Sequence, residues 1–348
     1  MKAERQARGS ILWKLLGAIL LALLLAVVAG YTLERLGVSR DLARLPMPGR
    51  MVSVGSHRLH LSCQGEGSPV ILLESGWGMP AAVWARTQPL LAKQTRTCVY
   101  DRAGYGWSEA GPAPRDAAEI AKEAEALLTA ARIEGPLVLV GHSFGGLCVR
   151  LLAKRMPKRV AGLVLVDAVH EDMLRALPMI RVRMEERRTQ MELAPYLAEL
   201  SLFRIAPGFF GMDRRGEEAA AFSDAQWETI RTFRSMPRQV EAALAELLLF
   251  EESMREARAA GGFGSMPLVV LSAGLARKPR WVPPDYTDAE YQRQWNLLQE
   301  KMRSLSNPPA LHFVAPNSAH EIPIQQPEMV VRAVDAVLRQ VAITQSVR

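Results

Sequence analysis

A doubly wound, mostly parallel α/β sheet, with an inserted helical cap and an N-terminal transmembrane helix, is the architecture that this 348-residue sequence predicts. Three observations carry the prediction. Five short apolar runs, bounded by Gly, Pro or charged residues, read as strands covered on both faces. Stretches with apolar residues spaced three to four apart lie between several of them, and strand alternating with helix implies a parallel sheet. Finally, residues 15–33 contain no charge over 19 positions.

The elements follow in chain order. Residues 1–14 form a basic flank with Lys2, Arg5, Arg8 and Lys14. Residues 15–33 are long enough to cross a hydrocarbon core of about 30 Å as a helix rising about 1.5 Å per residue. Arg35, Arg40 and Arg44 follow, so charge sets only a small bias toward a cytoplasmic N-terminus. The expected topology is a single-pass anchor with the main domain on the non-cytoplasmic side. A cleaved signal peptide, releasing a secreted protein, is the alternative, because Val27-Val28-Ala29 offers small residues at a cleavable spacing. Residues 34–50 read as a polar linker broken by Pro46, Pro48 and Gly49.

Residues 51–54 and 58–63 read as a hairpin around Gly55-Ser56. The buried-strand runs are 70–73, 97–100, 137–140, 163–166 and 268–271. Helices are expected over 117–131, 147–155 and 327–341, the last opened by Pro327. Residues 171–262 interrupt the alternation with Arg-rich, Met-rich helical sequence holding 8 of the 15 methionines, counting Met266 at the edge. The core is therefore expected in two parts, 51–170 and 263–348, with a helical cap between them.

Composition narrows the function. Hydrophobic residues at 49% and charged residues at 23% exclude a disordered chain. The net charge of +7 comes largely from the first 44 residues, which hold 7 Lys/Arg against 3 Asp/Glu. The remainder has 36 against 33, so no nucleic-acid footprint is indicated. Cys63, Cys98 and Cys148 have no C-x-x-C spacing, which argues against a zinc site, a thioredoxin-like motif or a disulfide-dense scaffold. Gly104-x-Gly106 lacks the third glycine and following helix of a phosphate loop, so no nucleotide is assigned.

The chemistry-bearing motif is Gly141-His142-Ser143-Phe144-Gly145-Gly146, a G-x-S-x-G pattern between an apolar run and a helical stretch. A sharp strand-to-helix turn needs small residues beside the serine, so that its hydroxyl projects above the sheet. The same turn aims the helix N-terminus and the Phe144 N–H at the reacting centre.

Over residues 52–341 the chain resembles the α/β-hydrolase superfamily. Asp101-Arg102-Ala103-Gly104-Tyr105-Gly106-Trp107-Ser108 looks like that family's D-R-x-G-x-G-x-S loop, and Gly76-Trp77 sits where the family has its H-G-x oxyanion loop. Ser318-Ala319-His320 falls between the last apolar run, 311–314, and the terminal helix, where the family carries its catalytic histidine. The sequence departs from the family in having Ser75 where many members have histidine.

The resemblance implies a serine hydrolase with Ser143 as nucleophile and His320 as base. Backbone N–H groups of Trp77 and Phe144 are the implied oxyanion hole. Other histidines sit less favourably: His57 and His60 in the hairpin, His142 inside the turn and facing away, His170 opening the cap, His312 within the last strand. The acid usually follows the strand at 268–271, yet residues 272–284 contain no carboxylate. Asp167, ending the preceding strand, resembles the acid position of haloalkane dehalogenases; their nucleophile is aspartate, so that chemistry is not carried over. Asp167 is preferred for its short strand-end reach to the imidazole, with Asp285 and Asp288 as alternatives.

Asp101 is expected to organise its own loop, with Arg102, and Glu74 to be a solvated or hydrogen-bonded strand end. Arg181, Arg183, Arg187 and Arg188 read as a solvated face, and the cap methionines as core filler or an adaptable apolar wall. The resemblance makes the strands of Cys63 and Cys98 neighbours, open to a disulfide in an oxidising compartment or to two buried thiols. The expected activity is cleavage of a carboxylic ester or related acyl bond in a small-molecule substrate, with no cofactor, by an enzyme held to a membrane through its N-terminal helix. Acyl transfer by the same residues, or a noncatalytic ligand-binding member of the fold, are the alternatives.

Overall fold

The computed structural model describes residues 2–212, 215, 220–278 and 282–346, with the backbone alone for residues 2–12 and 344–346. Lys2, Arg5 and Arg8 of the expected flank therefore lie outside the described side chains. A helix, α1 (Lys2–Arg44), leads into eight strands: β1 (Arg50–Ser53), β2 (Arg58–Gln64), β3 (Val70–Glu74), β4 (Thr97–Tyr100), β5 (Leu137–His142), β6 (Val160–Val166), β7 (Leu268–Ala273) and β8 (Leu311–Ala315). They form one sheet in the order β1-β2-β4-β3-β5-β6-β7-β8. The β1–β2 and β2–β4 pairs are antiparallel and the rest parallel, which is the predicted mostly parallel sheet with a hairpin at one edge.

Side chains alternate across a strand, so a fully buried strand feeds two cores. Leu137 and Leu139 of β5 pack with Leu127, Val149 and Leu152, from the helices Ala117–Ala130 and Gly145–Arg155. Val138 and Val140 pack on the other face with Val334 and Val337, from the helix Pro327–Ser346. The register pairs Cys63 with Cys98 across β2 and β4, and the two form a disulfide; Cys148 is a buried free thiol.

One stretch differs from expectation. Residues 34–50 are not a linker throughout, because α1 continues to Arg44 and leaves only residues 45–49 outside regular structure. Glu34, Gly37, Asp41 and Leu45 are buried and Val38 and Leu42 half-buried, a spacing that lays one helical face on the rest of the protein. Helix ends where Pro46 and Pro48 forbid its continuation. The Trp13–Arg44 part is long and apolar enough to cross a membrane, with mean hydropathy of 2.4 in its most apolar window and none of that window buried.

Between β6 and β7 the described residues form a series of helices between Met173 and Ala260, several of which line the cavity at the carboxyl edge of the sheet. Its helices include Pro178–Met191, Ala194–Glu199, Leu202–Ile205, Asp224–Ser235, Pro237–Leu248 and Phe250–Ala260.

Candidate active site

Ser143 stands between β5 and the helix Gly145–Arg155 with φ of 53°, a left-handed conformation unusual for a non-glycine residue. Close backbone packing explains the glycines around it. A Cβ on Gly141 would lie 2.5 Å from the Gly145 carbonyl oxygen, one on Gly145 would lie 2.6 Å from the Ser75 oxygen, and one on Gly146 would meet Ala168 Cβ at 2.4 Å. Ser143 donates its N–H to the Val166 carbonyl at 3.1 Å, tying the turn to the neighbouring strand.

His320 follows β8 and brings its Nε2 to 2.9 Å from Ser143 Oγ. Its Nδ1 lies 2.6 Å from Asp167 Oδ2. Asp167 is buried at the end of β6, also with positive φ, 41°, and its second oxygen accepts the Ala273 N–H at 2.9 Å. Ser143, His320 and Asp167 thus form one hydrogen-bonded line. Asp285 and Asp288 are exposed, the latter in the first turn of the helix Asp288–Met302, where it accepts the Lys278 N–H.

His142 does not turn its ring away from this group. Its Nε2 donates to the His320 carbonyl at 2.9 Å, and the two rings lie 4.9 Å apart. Burial holds the His142 imidazole below its ordinary pKa, which keeps it neutral and leaves it a fixed donor supporting the backbone of His320. Trp295 adds an edge-on contact with the His320 ring, centroids 5.9 Å apart.

The loop after β3 is held by a buried charge cluster. Arg102 donates to Glu74 at 2.7 Å and to the carbonyls of Ser75 at 2.7 Å and Gly76 at 3.0 Å. Its other edge grips Glu246, on the helix Pro237–Leu248, at 2.8 and 3.0 Å. Arg102 therefore pairs with the sheet and the helical insert rather than with Asp101. Burial pushes the Glu74 carboxyl above its usual range against the opposing pull of Arg102.

Asp101 does organise its loop, accepting the Trp107 N–H at 3.2 Å, and also accepts from Ala81 N at 2.6 Å and faces His60 Nδ1 at 2.8 Å. At the departure from the family pattern, Ser75 Oγ accepts the Trp84 indole N–H at 3.1 Å. With the loop's carbonyls turned to Arg102, the backbone N–H groups of Trp77 and Phe144 have no hydrogen-bond partner among the described residues.

Ser143 and His320 open onto a cavity of about 520 Å³. Met173, Met184, Met191 and Met212 of the insert line it, whereas Met236 and Met254 are buried in packing away from it. Arg183 and Arg187 also line the cavity instead of forming a solvated face with Arg181 and Arg188. Arg187 stands over the Trp77 ring at 5.4 Å from its centroid. Burial, with Arg234 and Arg183 nearby, lowers its pKa from the usual guanidinium value. Among the described residues no group of three or more His, Cys, Asp or Glu could hold a metal ion.

The supporting contacts of Arg102, Glu246 and His142 are the functional features that sequence reading missed. Glu246 had no local signal, being 144 positions from Arg102. For His142, strand alternation opposite Ser143 concealed that β8's following loop folds over its ring.

Comparison with known proteins bears on the whole arrangement. A family model described as the α/β hydrolase fold matches residues 69–197. The probable transporter efuK of Hormonema carpetanum is 27% identical over 324 residues, covering 85% of this chain and 44% of that protein. An uncharacterized vacuolar membrane protein of Saccharomyces cerevisiae is 34% identical over 137 residues, 34% of this chain and 21% of that protein. The chain thus spans less than half the length of these curated relatives. Among solved structures, a thermophilic esterase from Thermogutta terrifontis superposes with a TM-score of 0.58 at 24% identity, over 84% of this chain and 98% of that one. At that identity the likeness is one of fold.

Proposed function

We propose that this chain, which has the α/β-hydrolase fold, is a membrane-anchored serine hydrolase that cleaves a carboxylic ester or related acyl bond. The observation carrying the reading is the line from Asp167 through His320 to Ser143 Oγ, 2.6 and 2.9 Å, ending at the wall of a cavity lined by apolar side chains and several arginines. A serine hydroxyl is a weak nucleophile until a base takes its proton. Asp167 accepts from Nδ1–H and so fixes the tautomer that leaves the His320 Nε2 lone pair on the hydroxyl.

Ser143 Oγ attacks the carbonyl carbon while its proton passes to His320 Nε2. The tetrahedral oxyanion is met by the N–H groups of Trp77 and Phe144, and one such donor is typically worth about 2.7–4 kcal/mol in the transition state. Collapse breaks the bond to the leaving alcohol, which takes the proton from His320. Water, deprotonated by the same nitrogen, then releases the acid and restores Ser143. The Cys63–Cys98 disulfide supports a domain in an oxidising compartment, and the α1 helix supports a membrane anchor for it.

The test is labelling of the full chain with a fluorophosphonate probe, alongside hydrolysis of p-nitrophenyl esters of graded chain length. Labelling and turnover are expected in the native protein and neither in Ser143→Ala. A folded native protein that takes no probe and cleaves no ester overturns the reading.

A further inference from the structure

The helical insert is seated on α1 within the last turn of the uncharged segment 15–33. Ser201 Oγ lies 2.9 Å from the Gly30 carbonyl and 3.0 Å from Glu34 Oε2. A Cβ on Gly30 would lie 2.7 Å from the Leu200 carbonyl oxygen, so only glycine lets the two backbones approach this closely. One turn on, Arg204 forks between Glu34, at 3.0 Å, and Asp41, at 2.7 Å. Gly30 stands three residues before the end of the uncharged segment, which at about 1.5 Å per residue puts it roughly 4–5 Å inside that end. If α1 spans a membrane, the 200–201 turn is therefore level with the edge of the hydrocarbon.

The chain on either side of this turn carries large, exposed apolar side chains. Leu193 is 64% exposed, Tyr196 68%, Ile205 61% and Phe209 85%. The patch is joined to the cavity through a chain of ring contacts, edge-on between Phe209 and Phe210 and tilted between Phe210 and Phe203. Phe209 meets Phe210 with centroids 5.0 Å apart, and Phe210 meets Phe203 at 4.9 Å. Phe203 and Phe210 both line the cavity that holds Ser143. Exposed aromatic and aliphatic groups at the level where a membrane helix leaves the hydrocarbon have one environment that suits them, the boundary between lipid headgroups and acyl chains.

We propose that the surface formed by Leu193, Tyr196, Ile205 and Phe209 lies in the bilayer interface and is the side from which the cavity takes its substrate, a long-chain acyl ester dissolved in the membrane. The proposal deepens the hydrolase reading and rests on α1 being a membrane helix. The continuity of the patch with α1 selects the bilayer over a second copy of the chain as its occupant.

The test uses the full chain in phosphatidylcholine nanodiscs, with a fluorophore on Phe209→Cys and, in a separate protein, on Leu23→Cys, and quenchers carried by the lipid at shallow or deep positions. The Leu23 label is expected to be quenched by deep quenchers and the Phe209 label by shallow ones. A Phe209 label that only aqueous quenchers reach, beside a quenched Leu23 label, overturns the interfacial patch and leaves the anchor standing. If neither label is quenched from the lipid, the anchor reading fails and the patch with it. A Phe209 label shielded from both water and lipid points to a second copy of the chain and also overturns the proposal.

The functional arm compares the native protein with the double variant Ile205→Ser, Phe209→Ser. Turnover of a bilayer-embedded long-chain ester is expected to fall roughly tenfold, from weakened interfacial seating, while turnover of water-soluble p-nitrophenyl acetate stays unchanged. An equal loss on both substrates overturns delivery through the patch. Loss of all turnover in the native protein would instead mark failure of the hydrolase reading.

Discussion

Two buried His–Asp pairs lie at the sheet, alike in the carboxylate behind the imidazole. His60 Nδ1 meets Asp101 Oδ2 at 2.8 Å, as His320 Nδ1 meets Asp167 Oδ2 at 2.6 Å. What differs is the outer nitrogen. His60 Nε2 faces the Pro48 carbonyl, an acceptor with no proton to give, so both ring nitrogens face acceptors, an arrangement that favours the protonated ring. Burial opposes that charge, but the hydrogen bond and charge of Asp101, with the Pro48 carbonyl, outweigh it and raise the pKa. His320 Nε2 faces a hydroxyl, which donates, so its lone pair is available. A carboxylate behind an imidazole does not make a base; the partner in front decides.

The largest effect that sharpens this contrast is at Ser143. Ser143→Ala should lower kcat on the order of 10⁶-fold, since nucleophile and base act as a unit, with circular dichroism and thermal unfolding little changed. Asp167→Asn should follow with a loss on the order of 10⁴-fold if it sets the tautomer of His320. Asp101→Asn should leave kcat per folded molecule near native and act on stability instead. Ester kinetics on Asp167→Asn, Asp101→Asn, Asp285→Asn and Asp288→Asn read this directly, and the 10⁴-fold loss appearing at any position but Asp167 breaks the comparison.

His60→Gln removes one partner of a buried ion pair and should cost about 3–5 kcal/mol of stability, measured by denaturant unfolding, with kcat of the folded fraction retained. The smallest effect is its pH dependence. Because the folded-state pKa of His60 is raised above the unfolded value of about 6.5, its contribution is whole below that pH and is lost as pH rises through the folded value. The gap in thermal stability between native protein and His60→Gln should therefore narrow on going alkaline. A gap that widens would mean that His60 is neutral in the fold.

What could be read in the sequence was what is local. The strand runs at 70–73, 97–100, 137–140 and 268–271 announce themselves, because a strand buried on both faces has no alternation to misread. The glycines around Ser143 likewise state their own reason once the turn is seen. The His60–Asp101 pair was not legible, since it depends on β2 pairing with β4 across 41 positions. Nor was Glu246 as the partner of Arg102, a contact made only when the insert folds back on the sheet. The extension of α1 was only partly legible: Val38, Leu42 and Leu45 have helical spacing, but Glu34 and Asp41 on the same face are charged and become buried only by pairing with Ser201 and Arg204 of the insert.

The carboxylate facing His320 comes from the end of β6, and residues 274–284, after β7, carry none. In evolutionary terms this separates two traits. Ala273 still holds Asp167 through its N–H, and Gly274 and Leu275 hold the Ser318 carbonyl, but the residues that follow can be exchanged under selection for a new substrate without adding or removing the acid. The loop already sends Arg277 to the cavity wall. Lineages of this chain should therefore diversify in that loop sooner than in the strand ends that hold Ser143 and Asp167.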